Sequence, residues 1–260
     1  MELERPLLSV IVPAFNERQR LPAFLASVRA YLDYSFASPY EVIAVDDGSS
    51  DGTLAFLEDE TARWSELSFV RHIGNLGKGA AVRSGMQVAR GTYWLFADAD
   101  GATPINEEGR LRRAIDAGAQ VAIGCRAARA RLESTVTRRI AARIFAAWSH
   151  LATGLPIVDT QCGFKMFHSS VGSLLFSELR EAGFAFDVEL LVRASLEGYR
   201  IVEVPVAWRD VPGSKVRIAR DSFQMFKSLI RIRRQMSRLA RLGQCRSAGR
   251  HARPLEVSVK

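Results

Sequence analysis

Residues 7–17 read LLSVIVPAFNE, an apolar and partly β-branched run over Leu7–Val12 that stops at Pro13 and opens into a polar turn. A half-exposed strand would alternate apolar and polar positions. A run with almost no polar break is what a strand buried on both faces of a parallel sheet requires. Working outward, the pattern recurs: a helix is expected over Arg18–Tyr34, a strand over Tyr40–Val45, a helix over Leu54–Trp64, a strand over Leu67–Val70, a helix over Lys78–Ala89 and a strand over Thr92–Ala97. Turns rich in Gly, Asp and Asn separate them. This alternation predicts an α/β, doubly wound, mostly parallel sheet with helices on both faces. Ligands of such sheets sit beyond the C-terminal strand ends, where every polar cluster considered below falls.

The second half is less regular. It predicts a helix over Asn106–Ala117, a strand over Gln120–Gly124, a helix over Thr135–Ala152, a strand over Lys165–Phe167, helices over Ser170–Glu181 and Asp187–Glu197, and a strand over Ile201–Val206. Pro205 puts that last strand on an edge or at a bulge. The expected organisation is one domain over residues 1–221, with halves 1–104 and 105–221, then a basic amphipathic helix over 222–245 and a disordered tail over 246–260.

With 48% hydrophobic and 25% charged residues the composition is that of a globular protein, and no apolar run reaches the length of a membrane span. The first residues lack a basic leader and a cleavage site, so a cytoplasmic location is expected. Cys125, Cys162 and Cys245 form no CxxC pair, which excludes a disulfide framework or a structural zinc site as the organising feature. The net charge of +8 is concentrated: Ser222–Arg253 holds nine Lys or Arg and no acid, leaving −1 for the rest. There, Met225, Leu229, Ile232, Met236 and Leu239 recur at steps of four and three among Lys227, Arg231, Arg233, Arg234, Arg238 and Arg241. Such a helix either packs its stripe on the body or a second subunit, or lies on an anionic membrane surface, where each cation contributes about 1 kcal/mol. Nucleic acid is disfavoured, because only Phe223 and Phe226 offer stacking surfaces.

Chemistry gathers at strand ends. Asp46 and Asp47 open the turn DDGSSDGT; Asp46 directly follows a buried run, where a carboxylate needs a partner such as an N–H of a nucleobase. Asp98 and Asp100, at i and i+2 in FADADG, present carboxylates on one face of an extended chain. Mutually repelling oxygens in this arrangement suit Mg2+ or Mn2+ bridged to a diphosphate. Lys78, in NLGKG before a helix, stands where backbone N–H groups and a lysine approach phosphate. The ordinary readings are a helix cap, a solvated Asp-Gly turn and a surface lysine, and the shared position after buried strands weighs against them.

VPAFNE, VDDGSSDGT, NLGKGAAVRSGM, FADADGAT and DTQCGFKMF, in this order between Leu7 and Asp221, resemble the inverting glycosyltransferases of family two, especially the dolichyl-phosphate β-glucosyltransferases and other polyprenyl-phosphate glycosyltransferases. The resemblance implies a GT-A (Rossmann-like) fold, a UDP- or GDP-sugar donor bound by the first half, an acceptor polyprenyl phosphate bound by the second, and Mg2+ or Mn2+. It implies that Pro13, Ala14, Glu17 and Asp46 hold the nucleoside, with Asn16, Asp47, Lys78 and Ala99 completing the donor set. Asp98 and Asp100 would be catalytic, holding metal and diphosphate, and Arg126, Arg138 and Lys215 would receive the acceptor phosphate. The QxxRW block of processive synthases is missing, so polymerisation is not expected.

An alkyl phosphate, with a second pKa of roughly 6, attacks without a strong general base. A sugar or lipid hydroxyl, the alternative acceptor, needs one, and Asp159, Asp187 and Glu189 are its candidates. Two further rivals are weaker. A nucleotidyltransferase would show a Gly- and Arg-rich loop where PAFNE stands, and a non-catalytic membrane adaptor has no use for both DxD carboxylates. The expectation is an enzyme held peripherally on the inner face of a membrane, its oligomeric state open.

Overall fold

The computed structural model describes residues 5–126, 157–211 and 227–234. Among these, seven strands form one sheet: β1 (Leu8–Ala14), β2 (Tyr40–Asp46), β3 (Leu67–Arg71), β4 (Tyr93–Ala97), β5 (Val121–Arg126), β6 (Phe164–His168) and β7 (Ile201–Val206), in the order β3-β2-β1-β4-β6-β5-β7. Helices α1 (Leu21–Ser35), α2 (Thr53–Thr61), α3 (Lys78–Val88), α4 (Glu108–Asp116), α5 (Ser169–Ser177) and α6 (Phe186–Leu196) flank it. β1 pairs in parallel with β2 and β4, and β2 with β3, which is the expected block.

The burial of β1 explains its composition. Leu8, Val10, Val12 and Ala14 enter one core with Leu21, Leu25, Val28 and Leu32 of α1; Ile11 enters another with Val82 and Met86 of α3, Val171 and Leu175 of α5, and most of α6. With helices on both faces, neither side of the strand tolerates a solvent-seeking residue. Each such Val, Leu or Ile taken from water contributes roughly 1.5–3 kcal/mol.

Three features depart from or refine the expectation. β6 runs antiparallel between β4 and β5; an apolar run reads the same in either direction, so the sequence carries no sign of this reversal. α1 begins at Leu21 rather than Arg18, because Glu17 and Arg20 form a turn in which the Glu17 carbonyl accepts from the N–H groups of Arg20 and Leu21, and Pro22 suits a first helical turn. α5 stops at Ser177, short of Glu181. The backbone beyond it is used elsewhere: Ala182 O accepts from Gly79 N and Ala80 N at the start of α3, and Glu189 accepts from Arg180 N and Glu181 N. β7, the strand with Pro205, is indeed at an edge, paired only with β5.

Residues 227–234 are helical, and Leu229 and Ile232, each 2% exposed, pack in the second core while Lys227, Arg231, Arg233 and Arg234 are exposed. Two positions of the apolar stripe therefore pack on the body. Met225, Met236, Leu239, the helix expected over Thr135–Ala152 with Arg138, Lys215, and the tail over 246–260 lie outside the described residues. No described helix is long and apolar enough to cross a membrane.

Candidate active site

Strand order reverses at β1, with β2 and β3 on one side and β4 on the other. A crevice beyond the strand ends at such a point is where open α/β sheets bind ligands. Ala14 is in register with Asp46, and Asp98 directly follows β4. The PAFNE turn, the Asp46 turn and the DxD segment thus share one rim, as the sequence predicts.

On the β1–β2 side the turns are tied together. Asn16, at φ 55°, donates its N–H to Ser49 Oγ at 2.9 Å and accepts from Ser50 N at 2.8 Å through Oδ1. Glu17 N donates to Thr53 Oγ1 at 2.9 Å, and Asp47 N to Ala14 O at 2.8 Å. The carboxylates differ in what they have left to offer. Asp47 accepts from Leu76 N at 2.9 Å and Gly77 N at 2.8 Å, and His72 Nδ1 lies 2.7 Å from its Oδ1. It fixes the loop that carries Lys78. The Glu17 carboxylate is bound by Arg20, with Nε to Oε2 at 2.7 Å. Ala99 is buried in the first core. Asp46, although buried, has only two long contacts, 3.3 and 3.4 Å, from Ser49 N, so it retains acceptor capacity.

At the DxD segment, Lys78 Nζ lies 2.7 Å from Asp98 Oδ1. Asp98 N donates to Gly163 O at 3.0 Å, and a Cβ at position 163 would fall 1.8 Å from Asp98 Oδ2, so a side chain there would displace the Asp98 carboxylate. Gly77, at φ 102°, likewise leaves no room for a side chain: its Cβ would stand 2.5 Å from Ala182 O. Asp100 Oδ1 accepts from Ala102 N at 3.0 Å, and Arg20 Nη1 is 3.8 Å from Oδ2. Burial, and next the charge of Asp98, push the Asp100 pKa up. Burial alone would lower that of Lys78, but Asp98, Asp187 and Asp100 outweigh it and keep the ammonium charged.

These residues fit a divalent ion. Two carboxylates that raise one another's energy are relieved by a cation, and no described group of three His, Cys, Asp or Glu forms a full protein cage. Two carboxylates with the remaining positions left to diphosphate oxygens and water is the pattern used by Mg2+ and its like.

The β5–β6–β7 side is different. Arg126 forms a bidentate pair with Asp159, with both side-chain bonds at 2.8 Å, and lies over the Trp208 ring. Lys165, 0% exposed, donates to Asp187 Oδ1 and to Cys162 O, each at 2.6 Å. Lys165 and Lys78 both approach the Phe96 ring, at 5.3 and 5.4 Å from its centroid. Glu189 accepts from Arg193 Nε at 2.9 Å and from two backbone N–H groups. All three carboxylates considered as bases are therefore engaged by cations. Cys162 is a packing residue whose thiol burial, aided by Asp159, pushes up to about 12. Arg20 and the Lys165–Asp187 pair are missing from the sequence expectation. Glu17 and Arg20 at i and i+3 were a local signal; the other partners are remote.

The description Glycosyl transferase family 2 covers residues 9–173. The chain is 34% identical over 250 residues to the dolichyl-phosphate β-glucosyltransferase of Saccharomyces cerevisiae, covering 88% of this chain and 75% of that one. It is 39% identical over 241 residues to the Drosophila melanogaster protein of the same name (86% and 74%) and 37% over 258 residues to the human one (92% and 79%). Similar folds include glucosyl-3-phosphoglycerate synthase from Mycobacterium tuberculosis, crystallised with Mn2+, UDP-glucose and phosphoglyceric acid (TM-score 0.63, 20% identity, 88% of this chain and 80% of that one). Mannosyl-3-phosphoglycerate synthase from Rubrobacter xylanophilus is another (TM-score 0.63, 16%, 96% and 79%). The fold is GT-A-like, and the chain belongs to glycosyl transferase family 2.

Proposed function

We propose that this enzyme moves glucose from a UDP- or GDP-sugar to the phosphate of dolichol or a related polyprenol, with inversion at the sugar. Identity of 34–39% to three dolichyl-phosphate β-glucosyltransferases over most of each chain supports the sugar and the lipid. The choice of a phosphate over a hydroxyl acceptor is carried by one observation: Asp159, Asp187 and Glu189 are each committed to a cationic side chain. Burial pushes the Asp187 pKa up, yet its carboxylate is held in the ion pair with Lys165 and would have to leave it to take a proton, whereas a phosphate dianion needs no base.

In this reading Asp46 accepts an N–H of the nucleobase, beside the backbone of Pro13 and Ala14. Asn16 and Asp47 hold the loops that form the pocket. Lys78 remains cationic and adds positive charge beside the diphosphate. Asp98 and Asp100 would hold Mg2+ or Mn2+, which when bound would supply Lewis-acid neutralisation of the leaving diphosphate. Arg126, which Asp159 keeps protonated against the effect of burial, supplies charge for the acceptor phosphate together with Arg138 and Lys215. The outward cations of residues 227–234 favour peripheral attachment to the cytoplasmic face of an anionic membrane through charge.

Radiolabelled transfer with a panel of UDP- and GDP-sugars, Mn2+ and either polyprenyl phosphate or a glycan hydroxyl acceptor tests this. Label should appear in the lipid phosphate; transfer only to the hydroxyl acceptor would replace this reading with its rival.

A further inference from the structure

Arg20 Nη1 is a buried side-chain nitrogen without a hydrogen-bond partner, and it stands at the DxD rim. Its guanidinium is otherwise fully directed. Nε and Nη2 form a fork on the two oxygens of Glu17, which fixes the plane of the group. Glu17 is itself held, its N–H on Thr53 Oγ1 and its carbonyl accepting from the first N–H groups leading into α1. This leaves Nη1 aimed at Asp100 Oδ2 from 3.8 Å, just outside hydrogen-bond range. Because Nη1 is buried, a donor phosphate cannot reach it from solvent. Asp100 Oδ2 is the acidic oxygen that faces it, while Asp100 Oδ1 accepts from Ala102 N.

We propose that Arg20 is a positioning residue for the metal ligand Asp100, and that Glu17 acts on the metal site through Arg20 rather than on the nucleoside. The inference rests on the metal-dependent reading above and adds to it the line Thr53–Glu17–Arg20–Asp100. A carboxylate steered from both sides loses less rotational freedom when it takes a cation. Removing an outer partner of this kind typically lowers metal affinity about 10–100-fold.

Mn2+ binding, followed by the electron paramagnetic resonance signal of free Mn2+ at saturating UDP (or GDP, whichever the wild type binds), would be compared for wild type, Arg20→Lys, Arg20→Gln and Glu17→Gln. Affinity for the matching nucleoside would be measured by calorimetry. Arg20→Gln and Glu17→Gln should weaken Mn2+ binding about tenfold or more while nucleoside affinity stays at the wild-type value. Arg20→Lys, which keeps the charge but not the fork, should fall between. Wild-type Mn2+ affinity in Arg20→Gln overturns the proposal, as does a Glu17→Gln variant that loses the nucleoside and keeps Mn2+. Should Arg20→Gln fail to fold, unaltered Mn2+ affinity in Arg20→Lys overturns it instead. If the wild type itself takes up no Mn2+ with nucleotide, the metal-dependent reading fails; if wild type and variants bind equally, only the role of Arg20 does.

Discussion

On the β1–β2–β3 side of the sheet, Asp46, Asp47 and Asp51 are met by backbone N–H groups of their own or neighbouring turns. On the β5–β6–β7 side, Asp159, Asp187 and Glu189 are met by Arg126, Lys165 and Arg193. The first arrangement orders the loops chiefly through backbone donors, with His72 Nδ1 also on Asp47. In the second each carboxylate is held in an ion pair with a cationic side chain. The DxD segment lies at the border, with Lys78 on Asp98 and Arg20 near Asp100.

The contrast breaks most severely at Lys165. Replacing it by Met strands Asp187 in the core, and a loss of about 3–5 kcal/mol in denaturant unfolding is expected. The double variant Lys165→Met/Asp187→Leu should recover most of it; a double variant as unstable as the single one would show that the pair is not what matters. Next comes the border. Asp98→Asn and Asp100→Asn should each lower transfer by roughly 10²–10³-fold with unchanged thermal melts, and near-normal turnover by both would refute the metal assignment. The smallest effect is expected at Asp47, where Asn presents an NH2 to a backbone N–H. A loss of about 1–3 kcal/mol should accompany faster hydrogen exchange at Leu76 and Gly77, and unchanged protection of those amides would mean that Asp47 does not hold the loop.

The same contrast explains what the sequence discloses. β1 to β4 and their turns follow from short-range pattern, because each strand announces itself as a buried run and Asp and Gly announce the turns, even though β1 and β4 pair across two intervening strands. The shared rim of Asp46 and Asp98 follows from that topology alone. What escapes is set by composition rather than by separation: the reversed β6, the Lys165–Asp187 pair, only 22 residues apart, and the approach of Arg20 to Asp100 all join segments whose local composition is indifferent to the partner. Asn16 and Glu17 show a subtler gap. Their presence in the rim is legible, but their side chains turn to Ser50 and Arg20, which only coordinates reveal.

Gly163 gives the DxD segment a place in time as well as in space. Asp98 occupies the volume a side chain at 163 would need, and its amide is bonded to the carbonyl of that residue, so its orientation is not set until β6 has inserted beside β4. Long-range closure of this kind comes late, since the chain entropy of the intervening segment is lost before the contact repays it. A molecule only partly folded would carry both acids without the relative placement that the proposed cation site needs.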